Sequence, residues 1–173
     1  MEKDKIINIK TASENLFNYA VERDDLKYII ATLPQDNVLD LVKVEYEIVL
    51  LKIISVGWAI SYFLEEYPEK EQLSQQFWLN IHEFCKNLSF ISTASMNKDF
   101  DYFVLLKERF DSYFNTIKGA GKTDDPTSLV GPEFAVLCGA KDNALAILAG
   151  SKMFSCALSA VRNYLDSIES AAP

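Results

Sequence analysis

Apolar residues recur along most of this chain at intervals of three and four positions, which is the spacing of amphipathic helices. Runs that alternate polar and apolar residues are missing, as are the Asn-Gly and Asp-Gly turns of β-hairpins. The pattern therefore predicts an all-α, single-domain bundle of five to six helices with no sheet. Two segments show the clearest apolar stripes: Phe77, Ile81, Phe84, Leu88 and Ile91, and then Phe103, Leu106, Phe110, Tyr113 and Ile117.

The expected limits of the first helix come from its capping residues and from a proline. Thr11 and Glu14 form a capping box, which predicts that the helix begins at this point. The acidic pair around Asp24 is expected to interrupt the helix, and Pro34 is expected to end it. Residues 1–10 are interpreted as a flexible tail ahead of the bundle.

Three more helices are expected in the middle of the chain. Asp36 is a suitable N-cap for a second helix, which continues to about Glu66. Pro68 suits the first turn of a third helix, because proline lacks the N–H group that this turn leaves unpaired. A fourth helix is expected to begin near Asn97, where two carboxylates in the first turn favour the helix dipole.

The last third of the chain contains the remaining helical region. Gly119 is expected to end the fourth helix in a left-handed conformation, which glycine adopts without steric cost. A long loop is predicted over residues 119–131, because the next helical start signal is the Gly-Pro-Glu sequence at its end. The final region is expected to run to about residue 170 and to bend near Gly139 or Gly150.

The composition limits the partners of this bundle. The 173 residues suit one domain, residues 1–173, and carry a net charge of −8. Nucleic acids and anionic membranes require a basic surface, so neither is an expected partner. The apolar stretch Ile48–Leu64 has the length of a short membrane span, but Lys52 would then lie near the middle of the bilayer. A core helix of a bundle is the preferred interpretation, and no membrane association is expected.

No residue pattern points to a metal or a cofactor. No two of the cysteines Cys85, Cys138 and Cys156 have the spacing of metal ligands or of a disulfide framework. All three are expected to be small buried apolar groups in a reducing compartment, which makes the cytoplasm the expected location. The single histidine, His82, has no Glu three residues before it, so the Glu-x-x-His motif of di-iron bundles is missing as well. Metals and cofactors are therefore not expected.

The segment KGAGKTDDP, from Lys118 to Pro126, contains the Gly-Lys-Thr that ends a phosphate-binding loop. The full motif needs a glycine five residues before Gly121, and that position is Thr116. A helix precedes the segment where the motif requires a strand, and two aspartates follow that would repel a phosphate. We interpret the segment as a helix end followed by a link that is mobile or contacts a partner.

His82 lies on a predicted helix but outside its apolar stripe, so it is expected to be half-exposed. A half-exposed histidine on a small helical bundle resembles the histidine phosphotransfer domains. That family has Lys and Gly three and four residues after its histidine, whereas Cys85 and Lys86 occupy these positions here. Histidine phosphotransfer and carboxylate-based catalysis therefore rank last among the candidate functions, and no catalytic residue is assigned.

The last helical region is rich in small residues, which allow two helices to approach closely. A seam of this kind packs against a second helix that runs nearly parallel or antiparallel to the first. That second helix belongs either to the same domain or to another protein chain, and the sequence leaves both interpretations open. The candidate interface residues fall at heptad spacing: Gly139, Asn143, Ala146, Gly150, Met153, Ala157 and Ala160.

Aromatic residues are frequent, with eleven Phe, eight Tyr and two Trp. They either fill the core or line a cavity that holds a small apolar ligand. Because no catalytic or metal motif is present, the preferred function is a non-enzymatic cytoplasmic protein-interaction or regulatory module. Its partner is another protein or, if the small-residue seam is intermolecular, a copy of itself in a homo-oligomer. A helical bundle that binds a small apolar ligand is the alternative.

Overall fold

A computed structural model describes residues 8–34, 38–96, 101–119 and 125–170 of this chain. Its regular structure consists of seven helical segments: α1 (Ile9–Val21), α2 (Asp24–Ala31), α3 (Leu41–Phe63), α4 (Lys70–Met96), α5 (Tyr102–Gly119), α6 (Pro126–Leu137) and α7 (Ala144–Ser170). Segments α1 and α2 are the two halves of the predicted first helix, and counting them once leaves six helices. The described residues contain no strand, so the prediction of an all-α bundle is confirmed.

Helix α3 forms the centre of the bundle, because it contacts each of the other six helical segments. Of its 23 residues, 13 are buried, and they lie all around the helix rather than on one face. A helix that is apolar on every side is stable in water only when other elements surround it. The remaining helices therefore owe their arrangement to α3.

Two helices are long and apolar enough to cross a membrane by length and composition alone: α3 and the Ala144–Ile168 part of α7. In α3, 67% of the most apolar 18-residue stretch is buried inside the bundle. In α7, 39% of the corresponding stretch is buried. The apolar character of α3 thus matches its central position, which is the interpretation preferred for Ile48–Leu64.

The ammonium group of Lys52 is buried where α3 meets the first two helices. Its Nζ donates to Asp25 Oδ1 at 2.7 Å and to the backbone oxygen of Glu22 at 2.8 Å. The ring of Tyr19 faces the same ammonium group, with 4.3 Å between Nζ and the ring centroid. A buried charge is tolerated only when it is paired and hydrogen-bonded, so these contacts fix α3 against the junction of α1 and α2.

The carboxylate of Glu47 is the second buried charge of α3, and it faces α5. Arg109 donates from Nε to one carboxylate oxygen and from Nη2 to the other, both at 2.8 Å. Such a bidentate pair is directional, so it fixes the rotation of α5 relative to α3. The nearby hydroxyls of Tyr46 and Tyr113 are buried without a hydrogen-bond partner among the described residues. Burial raises the pKa of both phenols, so both remain neutral.

Two helices begin at other caps than those expected. The N-cap of α1 is Asn8, whose side chain accepts a hydrogen bond from the backbone N–H of Thr11. The prediction that Thr11 opens the helix is therefore wrong, because Asn8 satisfies the free N–H groups three residues earlier. Residues 9 and 10 of the predicted tail are helical, and residues 1–7 lie outside the described part of the chain. The N-cap of α3 is Asp40, while Asp36 also lies outside it.

The middle helices begin a few residues later than predicted. Helix α4 begins at Lys70, two residues after Pro68. Asn97, the expected start of the fourth helix, lies outside the described residues. Helix α5 follows Asp101, whose carboxylate accepts hydrogen bonds from the backbone N–H groups of the first turn. An aspartate before the first turn is a favourable cap, which explains this start.

The prediction of a long loop over residues 119–131 is wrong, because α6 occupies its second half. Asp125 caps this helix by accepting a hydrogen bond from a backbone N–H of the first turn, and Pro126 is its first residue. Proline suits that position because its missing N–H group would be unpaired there anyway. Residues 120–124, with the Gly-Lys-Thr of the phosphate-loop segment and the predicted mobile link, lie outside the described residues.

The bend predicted in the last helical region occurs at Gly139, which separates α6 from α7. Gly139 has a φ of 73°, a left-handed conformation that residues with a Cβ atom adopt only with strain. The same conformation was expected at Gly119, which is instead the last helical residue of α5. Gly150, the alternative position for the bend, lies inside the continuous helix α7.

Two glycines allow α6 and α7 to approach closely. A Cβ atom on Gly150 would lie 2.6 Å from the Cβ of Phe134 and 2.7 Å from its Cγ. A Cβ atom on Gly131 would lie 2.6 Å from the backbone oxygen of Ile147 and closer still to Oγ of Ser151. These distances are shorter than van der Waals contact, so the spacing of the two helices requires glycine at both positions.

We expect Gly150→Leu to destabilise the fold without changing the oligomeric state. Overpacking of this kind costs about 1–3 kcal/mol, because the new side chain must displace Phe134. The free energy of unfolding is measured by urea denaturation, and the mass of the particle by sedimentation. The matched control is Gly119→Leu, where an added Cβ atom meets nothing within 4 Å. A stable Gly150→Leu variant that changes only its sedimentation would contradict the internal packing.

We expect Arg109→Met to lower the free energy of unfolding by about 3–5 kcal/mol, because it leaves the buried Glu47 carboxylate unpaired. The double variant Glu47→Met/Arg109→Met removes both charges and should recover most of this loss, since apolar replacements of a buried ion pair are often tolerated. Urea denaturation of both variants measures the difference. If the double variant is as unstable as the single one, packing rather than the unpaired charge determines stability here.

Candidate functional site

Four of the seven residues predicted as an interface are buried inside the bundle: Ala146, Gly150, Met153 and Ala157. A second chain can contact only side chains that reach the surface. Burial within one chain therefore favours the internal interpretation at these four positions, and an interface there stays a prediction. They form the internal seam that the sequence left open as the other interpretation, along which α7 packs against α6 and α3.

The other three predicted interface residues have different roles. Gly139 is the exposed left-handed residue after α6. Asn143 caps α7, and its side-chain oxygen accepts hydrogen bonds from the N–H groups of Leu145 and Ala146 at 3.0 and 3.1 Å. Ala160 is half-buried on α7. Gly139 and Asn143 thus shape the connection between α6 and α7.

The aromatic interior of the bundle is filled rather than open where its rings converge. An apolar cavity among Trp58, Phe110, Tyr113 and Phe154 has a volume of about 10 Å³. A single water molecule needs roughly 10–15 Å³, and pockets for organic ligands measure about 300–1,000 Å³. This internal cavity therefore has no room for the small apolar ligand of the alternative prediction.

A larger apolar depression lies on the surface between α4 and α5, with a volume of about 260 Å³. Leu106 is buried at this place, the three rings are half-buried, and Lys107 is exposed. Apolar surface that stays in contact with water carries a free-energy cost, which burial against a partner removes. We call this surface the α4–α5 groove, and its five lining residues are Trp78, Phe103, Leu106, Lys107 and Phe110.

Contacts within the bundle hold the aromatic side chains of the groove in place. The indole of Trp78 packs on Gly57 of α3, where a Cβ atom would collide with the ring. Its ring centroid lies 5.8 Å from that of Phe110, edge to face. The ring of Phe103 meets the imidazole of His82 edge-on, with 4.8 Å between centroids. Because each ring has a packed neighbour, the groove is formed before any partner binds.

Sequence reasoning missed the groove, although one signal for it is present in α5. Phe103, Lys107, Phe110, Phe114 and Lys118 follow one another at intervals of three and four, which places them on one face of the helix. Phe114 is 46% exposed and stacks on Phe110, and the Nζ atom of Lys118 lies 5.9 Å from the Phe114 ring centroid. The apolar stripe predicted for this helix contained Phe103 and Phe110 but not Lys107, Phe114 or Lys118.

Lys107 is the one charged side chain among the five that line the groove. It forms no hydrogen bond or ion pair within the part of the chain that the structure describes. Its neighbours in sequence, Glu108 and Asp111, are exposed and do not pair with it. The five lining residues therefore contribute one positive and no negative charge, although the whole chain carries −8.

Several titratable groups lie outside the groove. His82 is half-exposed, as predicted, and its Nδ1 lies 3.7 Å from Oε1 of Glu83. Both carboxylate oxygens of the buried Glu47 accept from Arg109, so they are inaccessible to a substrate. Within residues 8–34, 38–96, 101–119 and 125–170, no group of three His, Cys, Asp or Glu side chains converges as metal ligands do.

Comparisons of this chain with protein-family models, with curated proteins and with solved structures found no match.

We expect iodoacetamide at about pH 8 to modify Cys156 much faster than Cys85 and Cys138, because only the thiolate reacts. The prediction that all three cysteines are buried is wrong at Cys156, which is exposed. Burial raises the pKa of Cys85 to about 11 and that of Cys138 to about 12. Peptide mass mapping counts the modified residues in the native protein and in urea, where all three should react. Rapid labelling of Cys138 in the native protein would contradict the packing of α6.

Proposed function

We propose that this protein is a non-enzymatic interaction module that binds a helical segment of another protein in the α4–α5 groove. The observation that carries the proposal is the groove itself. Three half-buried aromatic rings lie over the buried Leu106 between two helices, and the bundle holds them in fixed positions. Aromatic side chains in preformed depressions are the usual anchors of protein interfaces, since they lose little conformational entropy on binding.

The dimensions of the groove favour a helix over a small organic ligand. Its volume of about 260 Å³ is below the range of about 300–1,000 Å³ for pockets that enclose small molecules. A partner helix needs room only for the side chains of its apolar face, while its backbone stays above the surface. A depression bounded by two helices suits this mode, because a third helix can lie along the line where they meet.

A different protein is a better partner for this surface than a second copy of the chain. The small-residue seam that suggested self-association lies inside the bundle. Two copies that each carry a charge of −8 also repel one another. The proposal therefore keeps the protein partner expected from the sequence and moves the contact from α7 to α4 and α5.

We further propose that the protein has no catalytic activity and that it is located in the cytoplasm. We assign no catalysis to the protein, because the buried carboxylate of Glu47 is fully engaged by Arg109. A cytoplasmic location is supported by the free thiols of Cys85, Cys138 and Cys156, which a reducing compartment preserves.

A peptide-display selection tests the proposal. We expect the folded protein to select peptides of about 15–20 residues with apolar positions at helical spacing, because a groove recognises one face of a helix. Phe103→Glu should weaken these peptides by at least about tenfold, since it places a charge among the anchor contacts. Affinities are measured by fluorescence anisotropy, and thermal unfolding shows that each variant is folded.

The matched control is Leu148→Glu, which adds the same charge at an apolar side chain of α7 that is 61% exposed. The control should leave peptide affinity unchanged. The assignment of the groove would be overturned if both variants lost peptide affinity equally. It would also be overturned if neither change altered the affinity of the selected peptides. Sedimentation of the unliganded protein adds an independent check, because a dimer abolished by Phe103→Glu would make a second copy the occupant.

A further inference from the structure

We propose that the partner helix is acidic along the edge that meets α5, so that one of its carboxylates pairs with Lys107. This inference rests on the proposed function, because it specifies the chemistry of the helix that the groove binds. The groove offers an apolar floor and a single positive charge at its wall, and the two together recognise an amphipathic segment with carboxylates beside its apolar face.

Lys107 is exposed at the groove and has no carboxylate partner among the described residues. Two lysines of α3 and α4 have carboxylate partners: Lys52 pairs with Asp25, and Lys86 lies 3.7 Å from Glu83. Lys107 lies beside three aromatic rings without any such contact. A partner that covers this groove also covers the ammonium group, and covering a cation costs free energy unless an anion accompanies it.

A second cation extends the same edge. Lys118 lies eleven positions after Lys107 on the same face of α5, and three turns of helix separate them by about 16 Å. Its side chain covers the exposed ring of Phe114. A partner helix that follows α5 would therefore meet one cation near each end of the contact, with Phe110 and Phe114 between them. Carboxylates spaced about three turns apart fit this pattern.

The net charge of the protein predicts a preference for basic peptides, whereas pairing with Lys107 predicts a preference for acidic ones. This difference makes the inference testable. A protein that carries −8 attracts basic peptides when only long-range electrostatics matters. An acidic peptide binds more tightly only if the local charge at Lys107 outweighs this background. Whether the acidic or the basic peptide binds more tightly therefore distinguishes recognition by Lys107 from attraction by the net charge.

The test uses two designed helical peptides of about 18 residues with identical leucine faces, since this length gives about five turns. The positions that flank the leucines are Glu in one peptide and Lys in the other. Binding is followed through the fluorescence of Trp78 in a Trp58→Phe background, which removes the other tryptophan. We expect the acidic peptide to bind about 5–10-fold more tightly, and the difference to shrink when salt screens the pair.

Lys107→Gln should abolish the preference while leaving binding of the leucine face in place. The matched control is Lys152→Gln, which removes the same charge from an exposed position on α7. Equal affinity of the two peptides, tighter binding of the basic one, or a preference that survives Lys107→Gln would each overturn the inference and leave the groove assignment intact. If neither peptide binds, the proposed function fails as well. Dodecanoate binding without peptide binding would identify a small amphiphilic acid as the occupant and overturn both.

Discussion

The bundle depends on two charged side chains that α3 carries into its interior. Glu47 and Lys52 are five residues apart, so they leave the helix about 140° apart around its axis. Lys52 is held by the junction of α1 and α2, and Glu47 is held by Arg109 of α5. Apolar contacts alone would allow the surrounding helices to slide along α3, because hydrophobic attraction has no direction. The two pairs supply that direction and fix where α2 and α5 lie.

The candidate groove follows from the same central helix. Arg109 fixes the rotation of α5, and with this rotation Phe103, Lys107 and Phe110 line the surface between α5 and α4. On the other side, Gly57 of α3 makes room for the indole of Trp78. The aromatic wall is therefore built by contacts beneath it, so its shape is independent of any partner. A preformed apolar surface of this kind reduces the entropy cost of binding.

The fold was largely predictable from the sequence, while the position of the contact surface was not. The helical spacing of apolar residues and the positions of the prolines predicted the helices. The interruption near Asp24 was also predicted correctly. Boundaries shifted where two caps competed, as at Asn8 and Thr11, because several residues in one stretch are able to satisfy the same N–H groups. The small-residue seam of α7 was recognised as a helix contact, but burial alone shows that the second helix belongs to the same chain.

By itself, the sequence determined the all-α class and the approximate positions of the helices, because these depend on neighbours three and four residues apart. Only the tertiary structure decided which apolar residues become core and which remain at the surface. Phe77 and Phe103 both belong to clear helical stripes, yet Phe77 is fully buried and Phe103 lines the groove. The difference lies in the helices that pack around each ring, and those helices come from distant parts of the chain.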